Sequence, residues 1–249
     1  MEFEGKIVLV TGATGGIGMA TARKFAAAGA QVAATGRRAD KLTALNVPSI
    51  RTYVADLVNP AETEGLVGQV LKDFGGVDIL VNSAGIIASG TIEDTSLANY
   101  DAMMNTNVRS LFHLTQLTLP SIISRKGNIV NVSSVTGLRS FPGVLAYCIS
   151  KAAVDQLTRC AALELAPKGV RVNAVNPGVV RSNLQKTGGM TDEVYSGFLK
   201  RSQTTHPLGR IGEPEEIADL ILYLASPKAA WISGATYSID GGRAQTCAR

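Results

Sequence analysis

Cysteine and histidine are scarce. The chain has three cysteines, Cys148, Cys160 and Cys247, and they form neither a C-x-x-C pair nor an even set. That spacing excludes a disulfide framework and suits a reducing compartment. The two histidines, His113 and His206, have no neighbouring ligand set, so no metal is expected. Charge is modest: 18% of residues are charged and the formal net charge is +4. The basic pairs Arg37-Arg38, Arg125-Lys126 and Lys200-Arg201 are scattered and lack interleaved aromatics, so no nucleic-acid partner is expected. No apolar run is long enough to cross a bilayer. The acidic start M-E-F-E-G runs straight into a strand, so no signal peptide is expected. The terminal Cys-Ala-Arg is not the S-K-L address. Repeats, low-complexity tracts and linkers are also missing. What remains is a cytoplasmic, enzyme-sized single domain over 1–249, with 45% apolar residues to build a core.

Within it, short apolar runs alternate with helical patterns. Lys6-Ile7-Val8-Leu9-Val10 is a continuous β-branched run, as in a strand buried on both faces. Further strands are expected at 31–35, 50–54, 77–81, 128–132, 170–175 and 236–239. Helices are expected at 19–28, 60–74, 97–123, 146–165 and 214–225, with a weak one near Leu42. Pro60 occupies the first-turn position where proline is tolerated, while Pro120 is expected to bend or end its helix. From Ser182 to about Pro207 the pattern is irregular, with one short helix near 193–200. The alternation predicts an α/β fold: one doubly wound Rossmann-type domain with a mostly parallel seven-stranded sheet.

The first strand runs into T-G-A-T-G-G-I-G. Gly12 permits a tight turn, and Gly16 and Gly18 let backbone approach a pyrophosphate or a neighbouring element. Phosphates would then sit at the positive end of the first helix. The G-x-x-x-G-x-G spacing is one residue longer than the usual dinucleotide fingerprint, and a merely flexible β–α turn is the other reading. At the end of the second strand stand Gly36-Arg37-Arg38, with no carboxylate until Asp40. Arginine there accommodates a 2′-phosphate, where an acid would bind a ribose hydroxyl. The expected cofactor is NADP(H), with Arg37 as main anchor and Arg38 as helper; solvated loop charges are the alternative.

Tyr147 and Lys151 lie four residues apart in Y-C-I-S-K. On a helix their side chains share a face, about 5–6 Å apart at Cβ. A cation beside a phenol favours the phenolate and lowers its pKa toward the working range. Ser134, in a loop after an apolar run, can bring a hydroxyl to the same point. Alone, such a pair is also a common solvated helix surface.

Taken together and in order, T-G-A-T-G-G-I-G, N-S-A-G, N-V-S-S, Y-C-I-S-K and N-P-G resemble the classical short-chain dehydrogenases/reductases, from Gly5 to Gly242. The resemblance implies Tyr147 as general acid/base, Ser134 orienting the substrate oxygen, and Lys151 binding ribose and lowering the phenol pKa. Asn107 would complete the catalytic set by holding a water; a polar residue satisfying a helix kink is the competing reading. Cofactor contacts are implied at Gly12, Thr14, Gly16, Ile17, Gly18, Asp56, Leu57, Asn82, Ala84, Gly85, Tyr147, Lys151, Pro177, Gly178, Val180 and Ser182. Ser83 replaces the second asparagine of the family's N-N-A-G.

The resemblance also places the substrate segment after Pro177-Gly178. A lid is expected at about 183–206, with Leu184, Met190, Tyr195 and Phe198 as apolar contacts. Arg139, Phe141, Val144 and Leu145 are candidates for the facing wall. The implied activity is reduction of a small ketone, dicarbonyl or ketose. The alternative is a 3-oxoacyl-thioester reductase using Arg139, Arg181 and Lys186 as a basic patch, and a non-catalytic NADP-binding sensor is the third reading. Cys148 reads as a small buried residue rather than a redox handle. Tetramer-forming members of the family suggest a homotetramer, with Val154, Leu157 and Ala161 on one contact and W-I-S-G-A-T-Y-S-I-D-G-G on another. Burial in the monomer core would explain the same residues.

Overall fold

The computed structural model describes residues 1–182 and 184–246, apart from the Lys186 side chain. Cys247 and Asn183, the first residue of the expected lid, lie outside the described residues. Seven strands form one sheet: β1 (Ile7–Val10), β2 (Gln31–Gly36), β3 (Ile50–Val54), β4 (Ile79–Asn82), β5 (Asn128–Val132), β6 (Arg171–Pro177) and β7 (Thr236–Ile239). Their order is β3-β2-β1-β4-β5-β6-β7, and every pairing is parallel. Parallel strands need crossovers, here supplied mainly by helices.

The helices are α1 (Gly16–Ala27), α2 (Ala39–Leu42), α3 (Pro60–Phe74), α4 (Leu97–Met104), α5 (Ser110–Ser124), α6 (Val135–Leu138), α7 (Leu145–Leu165), α8 (Leu184–Thr187), α9 (Asp192–Thr205) and α10 (Pro214–Ala225). Successive strand side chains point to opposite faces. Val8, Val10, Val32 and Ala34 therefore pack with Ala22 and Phe25 of α1 and Ile217 and Ile221 of α10. Leu9, Ala33 and Leu80 pack on the other face with Leu66 and Val70 of α3, Leu114 of α5 and Leu165 of α7. Two buried layers result, one on each side of the sheet.

Local chemistry sets several ends. Asn59 caps α3 by accepting from the Ala61 N–H, and Gly75 closes that helix with φ 74°. Glu213 and Glu216 form a capping box at the start of α10. Pro120 does not end its helix, which continues to Ser124. The irregularity lies upstream instead, as a π-helical turn over Asn105–Arg109. The lid segment is also more regular than its composition suggests: α9 runs to Thr205, capped by Thr191 accepting from Val194 N.

Chain order reverses between β1 and β4, the switch point where open α/β sheets leave a crevice beyond the carboxyl ends of their strands. Among the described residues no helix is long and apolar enough to cross a membrane.

Candidate active site

A cleft of about 1260 Å³ opens at this crevice, large for a single drug-sized ligand and sufficient for two neighbouring ones. Its floor begins with the glycine loop after β1. Gly12 has φ 64°, and a Cβ there would stand 2.6 Å from the Ser83 carbonyl oxygen. A Cβ on Gly18 would come within 2.7 Å of the Gly12 carbonyl carbon. Side chains are thus excluded on both sides of the turn. Gly15 caps α1 without a side-chain bond, and no acid occupies the first turn. The amide N–H groups there and the positive helix end suit a phosphate. Thr14, Gly16, Ile17 and Gly18 all line the cleft. This cradle fits a dinucleotide pyrophosphate.

At the end of β2, Arg37 and Arg38 line the same cleft. Arg38 Nη2 donates to the Thr14 carbonyl at 3.0 Å and braces the glycine loop. Arg37 Nη1 lies 3.9 Å from Asp56 Oδ2 in an exposed pair, which in water is weak. Asp56 and Leu57, just past β3, line the cleft beside them, as do Ser83, Ala84 and Gly85 past β4.

Asn82 is a correction: it does not line the cleft. Buried at the end of β4, its Nδ2 donates to Asn131 Oδ1 at 2.9 Å and to Thr115 Oγ1 at 3.3 Å. It ties strands together, and Thr11 Oγ1 positions the loop by accepting from the Ser83 and Ala84 amides.

Ser134, Tyr147 and Lys151 come together on the cleft wall, each largely buried. Ser134 lies two residues past β5 and caps α6, its Oγ accepting from Thr136 N at 3.2 Å. That bond orients the hydroxyl, and Ser134 acts to lower the Tyr147 phenol pKa. Lys151 stands one turn along α7, with Nζ 5.7 Å from the Tyr147 ring centroid and donating to the Val132 carbonyl at 2.9 Å. Burial pushes the Tyr147 phenol up to about 12, opposed by Ser134. Burial brings the Lys151 ammonium down to about 8, opposed by the charge of Asp155. The phenol is thus not lowered by Lys151 in the protein alone: burial dominates, and Ser134 is what opposes it.

Asn107 sits on the π-helical turn, 1% exposed and outside the cleft lining. Its Oδ1 accepts from Ile86 N at 2.8 Å, and its Nδ2 donates to the Ile86 carbonyl and Ser150 Oγ, each at 3.0 Å. The amide is a strut for the loop after β4. A Cβ on Gly85 would lie 3.2 Å from Asn107 Oδ1 and 3.5 Å from Lys151 Nζ, so both side chains flank Gly85.

At the end of β6 and just beyond it, Pro177, Gly178, Val180 and Ser182 line the cleft. Across from them, Arg139, Phe141 and Val144 form the wall, whereas Leu145 does not contribute. From the lid, Leu184, Met190 and Phe198 face in. Tyr195 does not; its hydroxyl donates to the Ser182 carbonyl at 2.7 Å and so pins that loop. Arg181 is likewise a correction, since it turns from the cleft to pair with Glu213 at 3.1 Å. The Lys186 side chain lies outside the described residues. Cys148 is half-buried beside Tyr147, with its thiol 3.9 Å from the Phe141 carbonyl.

Two supporting residues escaped the sequence reading. His206, buried at the end of α9, accepts from Val179 N at 3.1 Å through Nε2 and faces the Ser202 carbonyl at 2.7 Å with Nδ1. These partners select the tautomer with the proton on Nδ1, and the ring joins the lid helix to the Gly178 loop. Asp155, buried one turn beyond Lys151, accepts from Asn176 Nδ2 at 2.9 and 3.1 Å, and the same amide reaches the Ser134 carbonyl at 2.9 Å. Burial raises the Asp155 pKa. Neither residue belongs to a local motif: their partners lie 27 and 21 positions away.

Similarity to known proteins agrees with this geometry. Residues 12–244 match the family model described as enoyl-(acyl carrier protein) reductase. A 3-oxoacyl-[acyl-carrier-protein] reductase FabG of Thermotoga maritima is 37% identical, covering 97% of this chain and 99% of its own. A meso-2,3-butanediol dehydrogenase of Serratia marcescens is 35% identical, covering 97% and 96%. The crystal structure of a Caenorhabditis elegans short-chain dehydrogenase/reductase with cofactor superposes with TM-score 0.94 at 35% identity, over 99% of this chain and 97% of the other. The chain belongs to the short-chain dehydrogenase/reductase family of oxidoreductases, which act on CH–OH and C=O groups with a nicotinamide cofactor.

Proposed function

We propose that the protein is an NADPH-dependent carbonyl reductase whose proton donor is Tyr147. The observation that carries this reading is the convergence of Ser134, Tyr147 and Lys151 on one wall of a cleft whose floor is the glycine cradle. The reduced nicotinamide, when bound, supplies the hydride. Ser134 Oγ orients the carbonyl oxygen, and Tyr147 Oη gives that oxygen its proton as the carbon is reduced. With its phenol raised by burial, Tyr147 is in the acid form at neutral pH. Lys151, at the cleft, supplies a cation for the ribose hydroxyls and for the phenolate left behind. Asn107 and Lys151 flank Gly85, and Pro177, Gly178, Val180 and Ser182 would hold the nicotinamide end of the cofactor.

The preference for NADPH rests on Arg37, which has solvent-facing donors and a single weak partner. Arg37→Ala should raise the KM for NADPH about tenfold, the effect of losing one charge-assisted hydrogen bond at an exposed site. The KM for NADH should stay within about twofold, since the 2′-hydroxyl offers no charge to lose. Equal changes for both cofactors would remove Arg37 as the phosphate anchor.

Small ketones, dicarbonyls and ketoses are the first substrates to test. A 3-oxoacyl thioester is the second class, favoured by the 37% identity to a 3-oxoacyl-[acyl-carrier-protein] reductase. A non-catalytic NADP sensor would not need Tyr147 and Lys151 kept together in an open cleft.

We also propose a homotetramer. Leu163 near the end of α7 is 79% exposed and Trp231, ahead of β7, is fully exposed, an arrangement that favours covering by another copy. Val154, expected at that contact, lies in the monomer's own interior, whereas Leu157 and Ala161 are half-buried. Light scattering should give four times the 26.0 kDa chain mass, and Trp231→Glu should reduce it. A wild-type monomer at micromolar concentration would end this proposal.

A further inference from the structure

Two charged side chains are buried on one side of α7, and the chemistry above uses only one of them. Lys151 is 5% exposed and Asp155 is 1% exposed. Four residues apart, they stand on successive turns of the same helix face. Charged side chains are almost never fully buried unless paired. Yet neither makes a direct ion pair among the described residues. Lys151 Nζ donates to the Val132 carbonyl at 2.9 Å, and the Asp155 carboxylate accepts from Asn176 Nδ2 at 2.9 and 3.1 Å. Carbonyls and amides orient such groups without neutralising them. Asp155 is the one charge that acts to hold the Lys151 proton against burial. Burial in turn raises the Asp155 carboxyl, opposed by Ser133, Asn176 and the charges of Arg159 and Lys151.

The carboxylate is seated from three elements. Asn176 of β6, itself fully buried, divides its amide between Asp155 and the Ser134 carbonyl, the latter at 2.9 Å. Ser133, just past β5, donates through Oγ to the Lys151 carbonyl at 3.1 Å. Helix α6 brings Gly137 to the same place: a Cβ there would run into Asp155 Oδ2 and stand 2.9 Å from the Lys151 carbonyl oxygen. The missing side chain lets α6 close on the carboxylate and keep water out, and in a low-dielectric setting a charge acts over a longer distance. The charged groups facing this seat are Lys151 and Arg159, both from α7; Ser133, Gly137 and Asn176 bring none. Arg159 is exposed and its guanidinium is shared with Gln156 Oε1 at 2.9 and 3.1 Å. A strut for Asn176 needs only an acceptor. A full negative charge, buried one turn from a buried lysine, has a use beyond holding an amide.

Resting on the reductase reading above, we propose that Asp155 is a positioning residue that acts through Lys151: a carboxylate fixed by Asn176 that keeps the lysine a cation for the ribose hydroxyls and the phenolate. The test is the pH dependence of NADPH-linked reduction of diacetyl and of acetoacetyl-coenzyme A by wild type, Asp155→Asn and Asp155→Ser. The first variant keeps the shape and one acceptor for Asn176; the second, smaller, avoids crowding at Gly137. In wild type the rate should decline above about 8, where Lys151 loses its proton. Without the carboxylate that midpoint should drop by about one pH unit, the lower end of the range for an opposite charge. The ratio of variant to wild-type rate should then fall about fivefold between about pH 6 and about pH 8. Dissociation constants for NADPH, read by cofactor fluorescence over the same range, should rise at the same midpoints, because the ribose hydroxyls lose their cation. Loss of a mere strut would lower the rate alike at every pH. A lowered midpoint in either variant sustains the proposal, and an unmoved or raised midpoint in both overturns it while leaving the reductase reading standing. If neither carbonyl is reduced, the reductase reading fails separately, and the midpoints of NADPH binding decide the role of Asp155 by the same rule.

Discussion

Tyr147→Phe should lower kcat for carbonyl reduction by about 10²- to 10⁴-fold, the range for loss of a positioned general acid. The ring stays and one oxygen leaves, so the packing of Tyr147 beneath the cleft is kept. The deleted hydroxyl interacts with Ser134, and removing one buried hydrogen-bonding group should cost about 1 kcal/mol of stability. NADPH affinity should therefore stay near wild type, which separates lost chemistry from lost folding. The pH profile gives a second readout. Tyr147 holds its proton up to about 12, so the acid form needed for reduction is present throughout the neutral range. Lys151, brought down to about 8, loses its charge first. Reduction should thus be level below that pH and decline above it. The reverse oxidation needs the phenolate and should rise with pH. A Tyr147→Phe enzyme within about threefold of wild type would dismiss the phenol as proton donor, since general acids contribute far more.

The frame and the cleft floor were legible in the sequence because their causes are local. Continuous β-branched runs such as Ile7–Val10 have few alternatives to a doubly covered parallel strand, and T-G-A-T-G-G-I-G follows directly. The Tyr147–Lys151 pair was legible because helical periodicity alone puts the two on one side of α7. Misplaced residues had their fate decided by distant partners. Asn82 stands beside the cleft-lining Ser83 in sequence, but strand alternation turns its amide toward Asn131 and Thr115. Arg181 is captured by Glu213, and Tyr195 by the Ser182 backbone. Pro120 is expected to bend or end its helix; it does not end it, since α5 carries apolar Leu114 and Ile122 into the sheet-facing layer and continues to Ser124. The irregularity falls on Asn105–Arg109, where the Asn107 amide binds the Ile86 backbone. No spacing rule announces that contact, nor the two that place Asp155 behind Ser134 and His206 behind Gly178.

Gly18→Ala should be nearly as damaging as loss of the phenol, though one methyl group is all it adds. In an exposed helix this change is favourable by about 1 kcal/mol, because alanine has less backbone freedom to lose. Here the new Cβ would meet the Gly12 carbonyl carbon at 2.7 Å and the Ala13 amide nitrogen at 3.0 Å. Both are backbone atoms with no rotamer to move. Gly12 cannot retreat, since its own missing side chain faces the Ser83 carbonyl from the other side. The methyl must push α1 away from the turn, which spoils the amide cradle as well as the packing. Overpacking of this kind costs about 1–3 kcal/mol, and at about 2–4 °C per kcal/mol for a chain of this size the melting point should fall by several degrees. The rise in melting point on adding NADPH should shrink or vanish, because that rise measures affinity for the folded state. Gly68→Ala is the matched control: it lies in α3, and its new Cβ would meet nothing within 4 Å. There the melting point should rise by about 1–3 °C, with the NADPH-induced increment unchanged. If Gly18→Ala instead behaves like Gly68→Ala, with the increment intact, the phosphates are not held at the start of α1. If both the melting point and the increment collapse in Gly18→Ala alone, the close approach of turn and helix is what the cofactor requires.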